Sequence, residues 1–502
     1  MSDQPRDTTA SLDLFILTFN AGKEQINPSV FAVHLRDAFA KGADDLPEII
    51  VICLQEMAPL ERSFIGSYMI NPYFQSWVTA VNLAALPPST TSRQGASFDE
   101  DDYEAESPSD YTVASRMGIE PRDFPYTLMT TRNVGMTGIL LFARDTGAIQ
   151  NLKSTEVGFG AGDMANKGAV GLRMLFSKHD AEGRKRQTEL TFVGTHLAAH
   201  EWNLEKRNKN WESIVSGLLF ENPKKLNGGK SVDPTPRTFE ESYGEREVLL
   251  PRDANVKALH NITIYKPGSH LFVAGDLNYR ISKTSPTSKS VFPSMDVRDF
   301  NYFSNYLQLD QLMIEKAAGR TLHGLSESTV SFPPTYKLKH KTKTQVKDHE
   351  NYASPGPDVV YWGWAPNRWP GWCDRVLYLD IPSWVSQSSS GAKIRIDTIA
   401  YDALPPVRTS DHRAVFLRLA VPVIEPSVLA PPEELYTSKN IKDPRIKLPY
   451  PIDFESWDHR GRVKKWEWLI GWSMVVSQSK QGIAVFTALV FVSIGTWWLR
   501  SR

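Results

Sequence analysis

Short apolar runs that each close on a polar residue constrain the fold of this chain more than any other feature. LDLFILTFN (12–20) ends on Asn20 and EIIVICLQE (48–56) on Glu56. LTFVGTHL (190–197) carries His196 near its end, and HLFVAGDLN (270–278) carries Asp276 and Asn278. Each run is short, bulky and apolar at consecutive positions, which predicts a strand buried on both faces. Strands of that kind need a covering layer on either side, so the expected class is layered α/β. Polar residues at the ends of such strands converge in space, and sites are commonly built there. Further strands are expected at 137–143, 168–176, 375–380 and 414–419. Helical spacing at 30–40 and 203–220 supplies covering layers.

Composition narrows the chemistry. Lys+Arg and Asp+Glu number 57 each, so the formal net charge is zero, which argues against a wholesale nucleic-acid binder. Two cysteines, Cys53 and Cys373, supply neither a disulfide framework nor a thiolate zinc site. HEXXH and G-x-S-x-G are absent. Carboxylates, amides and histidines at strand ends, with Asp411 and His412 just before the strand at 414–419, suit a hard, oxygen-preferring cation such as Mg²⁺. The glycine-rich GAGDMANKGAVG (160–171) matches neither common phosphate-loop pattern. Its Lys167 and backbone N–H groups are nevertheless suited to a phosphate, and a plain turn is the alternative.

The outer segments read differently. Residues 1–11 are expected to be flexible, without an apolar signal-peptide core. Residues 87–112, rich in Pro, Ser and acids, read as a surface insertion or a disordered loop. Residues 421–465 open Pro-rich, as a linker strapped on the domain. WEWLIGWSMVV (466–476) is a candidate interfacial segment. Residues 483–499 are seventeen uncharged residues with Trp497 and Trp498 beside Arg500, the pattern of a membrane span at its lower length limit. The expectation is a single-pass anchor with the catalytic body in the cytosol, on the endoplasmic reticulum or the mitochondrial outer membrane.

Eight motifs in order carry a resemblance. They are LTFNAG (17–22), ICLQE (52–56), GDMANKGAV (162–170), THLAAH (195–200) with EKRN (205–208), GDLNYRI (275–281), FPPTYK (332–337), WPGWCDRVLY (369–378) and TSDHRAV (409–415). Over residues 12–420 the chain resembles the inositol polyphosphate 5-phosphatases of the endonuclease/exonuclease/phosphatase superfamily. That resemblance implies a DNase I-like sandwich of two mixed β-sheets flanked by helices. It also implies Mg²⁺-dependent removal of the 5-phosphate from phosphoinositides such as phosphatidylinositol 4,5-bisphosphate, without a phosphoenzyme.

By the same resemblance, Glu56 with Asn20 holds the Mg²⁺. Asp276 takes the proton of the attacking water, and Asn278 orients that water. His412 binds the scissile phosphate with Asp374 behind it and Asp411 beside it, and His196 lies on the same phosphate or near the leaving oxygen. Lys337 and Arg368 meet the ring 4-phosphate, Asn166 and Lys167 the 1-phosphate, and Tyr336 packs beside the ring. The chain departs from the usual pattern at TFNAGK, in the long stretch 338–367, and at Pro366, where many relatives carry Lys. The rivals are a nuclease of the same superfamily and an inactive, membrane-tethered phosphoinositide-binding scaffold.

Overall fold

The computed structural model describes residues 10–87, 124–226, 256–346, 352–354, 358–385, 393–437 and 442–478, with isolated positions beyond 493. Two six-stranded mixed sheets face each other. The first holds β1 (Ser11–Asn20), β2 (Ile49–Gln55), β3 (Thr127–Val134), β4 (Thr137–Ala143), β13 (Asp397–Ala403) and β14 (Val415–Pro422), in the order β13-β14-β1-β2-β4-β3. The second holds β5 (Ile149–Gly158), β6 (Gly168–His179), β7 (Lys185–His196), β8 (Ser269–Asp276), β9 (Leu325–Ser326) and β12 (Asp374–Leu379), in the order β5-β6-β7-β8-β12-β9. A two-stranded ribbon, β10 (Leu338–His340) with β11 (Trp362–Trp364), stands apart.

Each sheet has one central parallel pair, β1–β2 and β7–β8, and antiparallel neighbours elsewhere. Alternation along β1 explains the layering. Leu12, Leu14 and Ile16 join Val170, Leu172, Phe192 and Phe272 between the sheets. Phe15, Leu17 and Phe19 turn the other way, onto Phe31, Leu35 and Phe39 of α1 (Pro28–Ala40) and Trp77 of α3 (Asn71–Ala85). The short α2 (Leu60–Ile65) precedes α3. The outer face of the second sheet is covered by Trp211, Ile214 and Val215 of α4 (Leu204–Gly217). The expected two-sheet sandwich with flanking helices is therefore present.

Residues beyond β14 are strapped on the domain. Val423, Ile424 and Leu429 enter the inter-sheet core, and Arg445 donates to the Asp380 carbonyl at 2.8 Å. Helix begins at Ser456, inside the stretch read as linker. With α5 assigned to Gln311–Ala317, this last helix is α6 (Ser456–Gln478), and it packs on α2 and β5. Among the described residues no helix is long and apolar enough to cross a membrane. The expected span 483–499 lies almost wholly outside the described residues, as does the insertion from 88 to 112.

One buried ionic cluster ties the second sheet to α5. Arg375, fully buried on β12, meets Asp310 at 2.8 Å and Glu327 through two contacts of 2.6 Å. Removing one partner of such a cluster leaves buried charge uncompensated, so Arg375→Ala is expected to lose about 3–5 kcal/mol in urea denaturation.

Candidate active site

The two parallel pairs end at the same edge of the sandwich, which brings their closing polar residues together. Register does the rest in the second sheet. His196 on β7 and Asp374 on β12 both pair directly with Asp276 on β8, so three strands deliver a row His196–Asp276–Asp374. Gly275 precedes Asp276 because a Cβ there would lie 1.9 Å from the Thr195 carbonyl oxygen. From the first sheet, Asn20 crosses to this row and donates from Nδ2 to Asp276 Oδ2 at 3.0 Å.

Asp276 is the centre. Its Oδ2 lies 3.2 Å from His196 Nε2 and 3.9 Å from His412 Nε2, and its Oδ1 accepts the Asn278 backbone N–H at 3.1 Å. Burial pushes Asp276 up, but His196, His412 and Lys167 outweigh burial and hold it well below the usual carboxylate range. His196 Nε2 also meets the Lys167 Nζ, and burial followed by that ammonium pushes the imidazole down. Burial lowers Lys167 to about 8, against the pull of Asp276 and Glu56.

His412 faces the opposite influence. Its Nδ1 lies 2.8 Å from Asp374 Oδ2, which also accepts the Thr335 hydroxyl at 2.7 Å. Burial lowers His412, yet Asp374 and Asp276 outweigh it and raise the ring to about 9. The His412 backbone N–H donates to Ser410 Oγ, whose hydroxyl donates to the Asn20 carbonyl, so the two sheets position this imidazole jointly. The Tyr336 ring stands 4.6 Å from the His412 ring, with the Arg280 guanidinium 4.2 Å from its centroid on another side.

The outer residues form two groups. Lys337 Nζ is 2.7 Å from Asp411 Oδ2, and Asp411 Oδ1 is 3.9 Å from His412 Nε2, so both belong to the rim around His412. Arg368 donates toward His200 Nδ1 at 3.3 Å and lies 4.0 Å from the fully buried Glu201. Its backbone N–H donates to the Ala365 carbonyl at 3.5 Å and the Ala365 N–H to the Lys337 carbonyl at 3.0 Å, which places it near Lys337. Asn166 and Lys167 sit on the β5–β6 hairpin; Lys167 turns into the site while Asn166 is exposed and folds back over Gly160. The Asn278 side chain is held by the Leu197 carbonyl at 3.1 Å and by Arg280 Nη2. It thus fixes the β8 loop and keeps one amide hydrogen for another acceptor.

A hard cation fits one part of this site. Asp276, Asp374 and His412 bring ligating atoms within 4.8 Å of one another. A ring raised to about 9, however, is protonated on both nitrogens at neutral pH and has no lone pair to give. The donors that remain are Glu56 and Asn20, the latter bonded to Asp276. Among the described residues the Glu56 carboxylate accepts no hydrogen bond and meets only the Lys23 ammonium, at 3.6 Å. Asn20 Oδ1 accepts one backbone N–H and keeps a second lone pair. An open carboxylate and an amide oxygen suit an oxygen-preferring divalent ion.

Sequence reasoning missed several supporting groups. Thr335 and Arg280 lie inside quoted motifs, where a buried hydroxyl and a buried guanidinium were the available signals. Glu467 gave none. From α6 this buried carboxylate reaches 302 residues back and accepts the Ala165 N–H at 2.6 Å, while Arg460 grips it through contacts of 2.8 and 2.7 Å. Ala165 is two residues from Lys167, so α6 holds the hairpin that presents Lys167. A hydrogen bond to a charged group contributes about 1.5–3 kcal/mol. Glu467→Ala is therefore expected to raise KM by roughly ten- to a hundredfold with a smaller change in kcat, together with faster hydrogen exchange at the Ala165 amide.

With this geometry in view, likeness to known proteins is informative. Residues 17–418 match the model of endonuclease/exonuclease/phosphatase family 2. The chain is similar to the type II inositol polyphosphate 5-phosphatase 15 of Arabidopsis thaliana, with 29 % identity over 269 residues, 51 % of this chain and 20 % of that protein. It is also similar to the mouse phosphatidylinositol 3,4,5-trisphosphate 5-phosphatase 1, with 25 % identity over 256 residues, 51 % of this chain and 16 % of that protein. The matched region thus spans a fifth or less of these two relatives. Overall likeness to a crystallised synaptojanin 5-phosphatase domain in complex with inositol (1,4)-bisphosphate and calcium is loose. Its TM-score is 0.49 at 18 % identity, over 84 % of this chain and 88 % of that one. On the family match, which takes in every strand-end residue described above, the chain belongs to endonuclease/exonuclease/phosphatase family 2.

Proposed function

We propose that this chain is a Mg²⁺-dependent phosphatase that removes the 5-phosphate from phosphoinositides such as phosphatidylinositol 4,5-bisphosphate. We place it at a membrane to which residues 483–499 tether it with the domain on the cytosolic side, at the endoplasmic reticulum or the mitochondrial outer membrane. The observation that carries the chemistry is the array around Asp276: one ionised carboxylate ringed by Lys167, His196 and His412. The printed names of the relatives support the substrate class. The uncharged run and its aromatic, basic edge support the tether.

The residues divide the work as follows. Lys167 and His412 form a positive cradle that receives the phosphate dianion, with the His196 imidazole beside them. His412, held by Asp374, donates from Nε2 to a phosphoryl oxygen and stabilises the charge that builds up there. Asp276 Oδ2, facing the same space, accepts the proton of a water aligned opposite the leaving oxygen. Asn278 keeps the loop that follows Asp276 in place and has one N–H to aim that water. Lys337 exchanges Asp411 for the neighbouring ring phosphate, Arg368 flanks it, and Tyr336 walls the ring. Asn166, exposed on the β5–β6 connection, is placed for the 1-phosphate at the lipid end. Glu56 and Asn20 would hold the Mg²⁺, which when bound supplies a Lewis acid that neutralises phosphoryl charge.

The test is phosphate release from each phosphoinositide and soluble inositol phosphate, in Mg²⁺ and in EDTA, with the product position read by NMR. Release of the 5-phosphate in Mg²⁺ alone is expected, with membrane lipids turned over faster than soluble headgroups. Glu56→Ala is expected to raise the Mg²⁺ needed for half-maximal rate by at least about tenfold. Cleavage of nucleic-acid phosphodiesters, or lipid binding without turnover by folded protein, would refute the proposal.

A further inference from the structure

α6 has two faces of different chemistry. Val463, Glu467 and Gly471, one turn apart, are buried against the domain, and the absent side chain of Gly471 lets α6 approach the Glu61 carbonyl and Phe64 of α2. The opposite side is bare: Trp468 is 54 % exposed and Leu469 51 %, and together with Gly461, Lys464 and Lys465 they line an open groove. Trp466, 62 % exposed, flanks it.

The charges on this helix are segregated beyond its first turn, where the exposed Asp458 is bonded by Lys224 at 2.8 Å and lies one turn from Arg462. Between 461 and 478 the cations are Arg462, Lys464 and Lys465, and the one acid is Glu467, which is turned inward. Lys464 bonds Glu156 at 3.1 Å, whereas Arg462 and Lys465 carry no ion pair among the described residues. Exposed indoles and leucine interleaved with outward cations are the composition of a helix lying at the headgroup level of a bilayer. Protein interfaces are instead depleted in lysine. Connectivity agrees: four residues, 479–482, separate α6 from the uncharged run at 483, and fully extended they reach only about 14 Å.

We infer that the outward face of α6, centred on Arg462, Lys465, Trp468 and Leu469, docks on an anionic phospholipid bilayer. The inward face of the same helix holds the Lys167 hairpin through Glu467, so docking puts that hairpin about one helix diameter, roughly 10 Å, from the lipid. This deepens the reading of the substrate as a membrane lipid, but the docking is a binding property that needs no turnover.

Sedimentation of the full-length chain with vesicles tests it. Phe486→Asp with Val490→Asp breaks the apolar run, so that any remaining binding reports α6. That chain is expected to bind phosphatidylcholine–phosphatidylserine vesicles at least about tenfold more tightly than pure phosphatidylcholine, and to release them in high salt. Adding Arg462→Glu, Lys465→Glu, Trp468→Ser and Leu469→Ser is expected to abolish the preference while the thermal melt stays that of the parent. The charge reversals alone, at exposed positions, are expected to remove most of it and serve if the fourfold variant fails to fold. Undiminished binding by these variants overturns the inference, as does equal binding to neutral vesicles. A dimer in analytical ultracentrifugation that the four substitutions dissolve would assign the face to a second copy of this chain and likewise overturn it. A failure of the phosphate-release assay bears on the chemistry and leaves this binding difference in place.

Discussion

In the Asp276→Asn chain, kcat for phosphate release is expected to fall by roughly a hundred- to ten-thousandfold, the range associated with loss of a positioned general base. The substitution is nearly isosteric, and an amide oxygen still accepts the 3.0 Å hydrogen bond from Asn20. What disappears is the negative charge at the centre of three cationic or imidazole groups. Without it, Lys167, His196 and His412 face an incoming phosphate unopposed. Inorganic phosphate should therefore inhibit the variant more strongly than it inhibits the parent, even as turnover collapses. Steady-state kinetics with phosphate titration reads both effects. A variant that loses turnover and phosphate binding together would mean that the site has come apart, and Asp276 would then have no separate role as a base.

The second large effect concerns the partner of His412. With Asp374 present the imidazole is raised to about 9, so the rate should hold through neutral pH and fall as Lys167 loses its charge near 8 and His412 near 9. Asp374→Asn removes the main charge favouring the imidazolium and leaves the burial that opposes it. The alkaline limb of the pH–rate profile is then expected to move down by about 1–3 pH units, with activity partly recovered in acid. Stability has the same sign. The folded pKa of His412 lies above its unfolded value near 6.5, so, while Asp374, itself pushed up by burial, stays ionised, the imidazolium contributes fully below that value and loses its contribution as pH climbs through 9. Urea midpoints of parent and variant should therefore differ more at pH 6 than at pH 10.

Much of this site is legible in the sequence because polar residues ending apolar strands are conspicuous. Asn20, Glu56, His196 and Asp276 each interrupt a run that is otherwise buried on both faces. The longer strands missed are of another kind, the short β9, β10 and β11 apart. β3, β5 and β13 lie at sheet edges and are largely half-exposed or exposed, so TLMTTRNV, IQNLKSTEVG and DTIAYDA carry no continuous apolar signal. The unseen supporting groups act through others: Thr335 through Asp374, Arg280 through Asn278 and Tyr336, Glu467 through the backbone of Ala165. Nothing local distinguishes such a residue, since its meaning lies in a partner up to three hundred positions away.

The row His196–Asp276–Asp374 is set by strand register alone, and its members lie about eighty and a hundred positions apart in the chain. The segments between them begin and end at the sheet but need not have any particular length for the row to form. Descendants of such a chain can lengthen, shorten or exchange those segments, and so change what is recognised, without disturbing the row on which the proposed phosphate hydrolysis rests. The reaction is inherited with the pleat, while recognition is left to the connections.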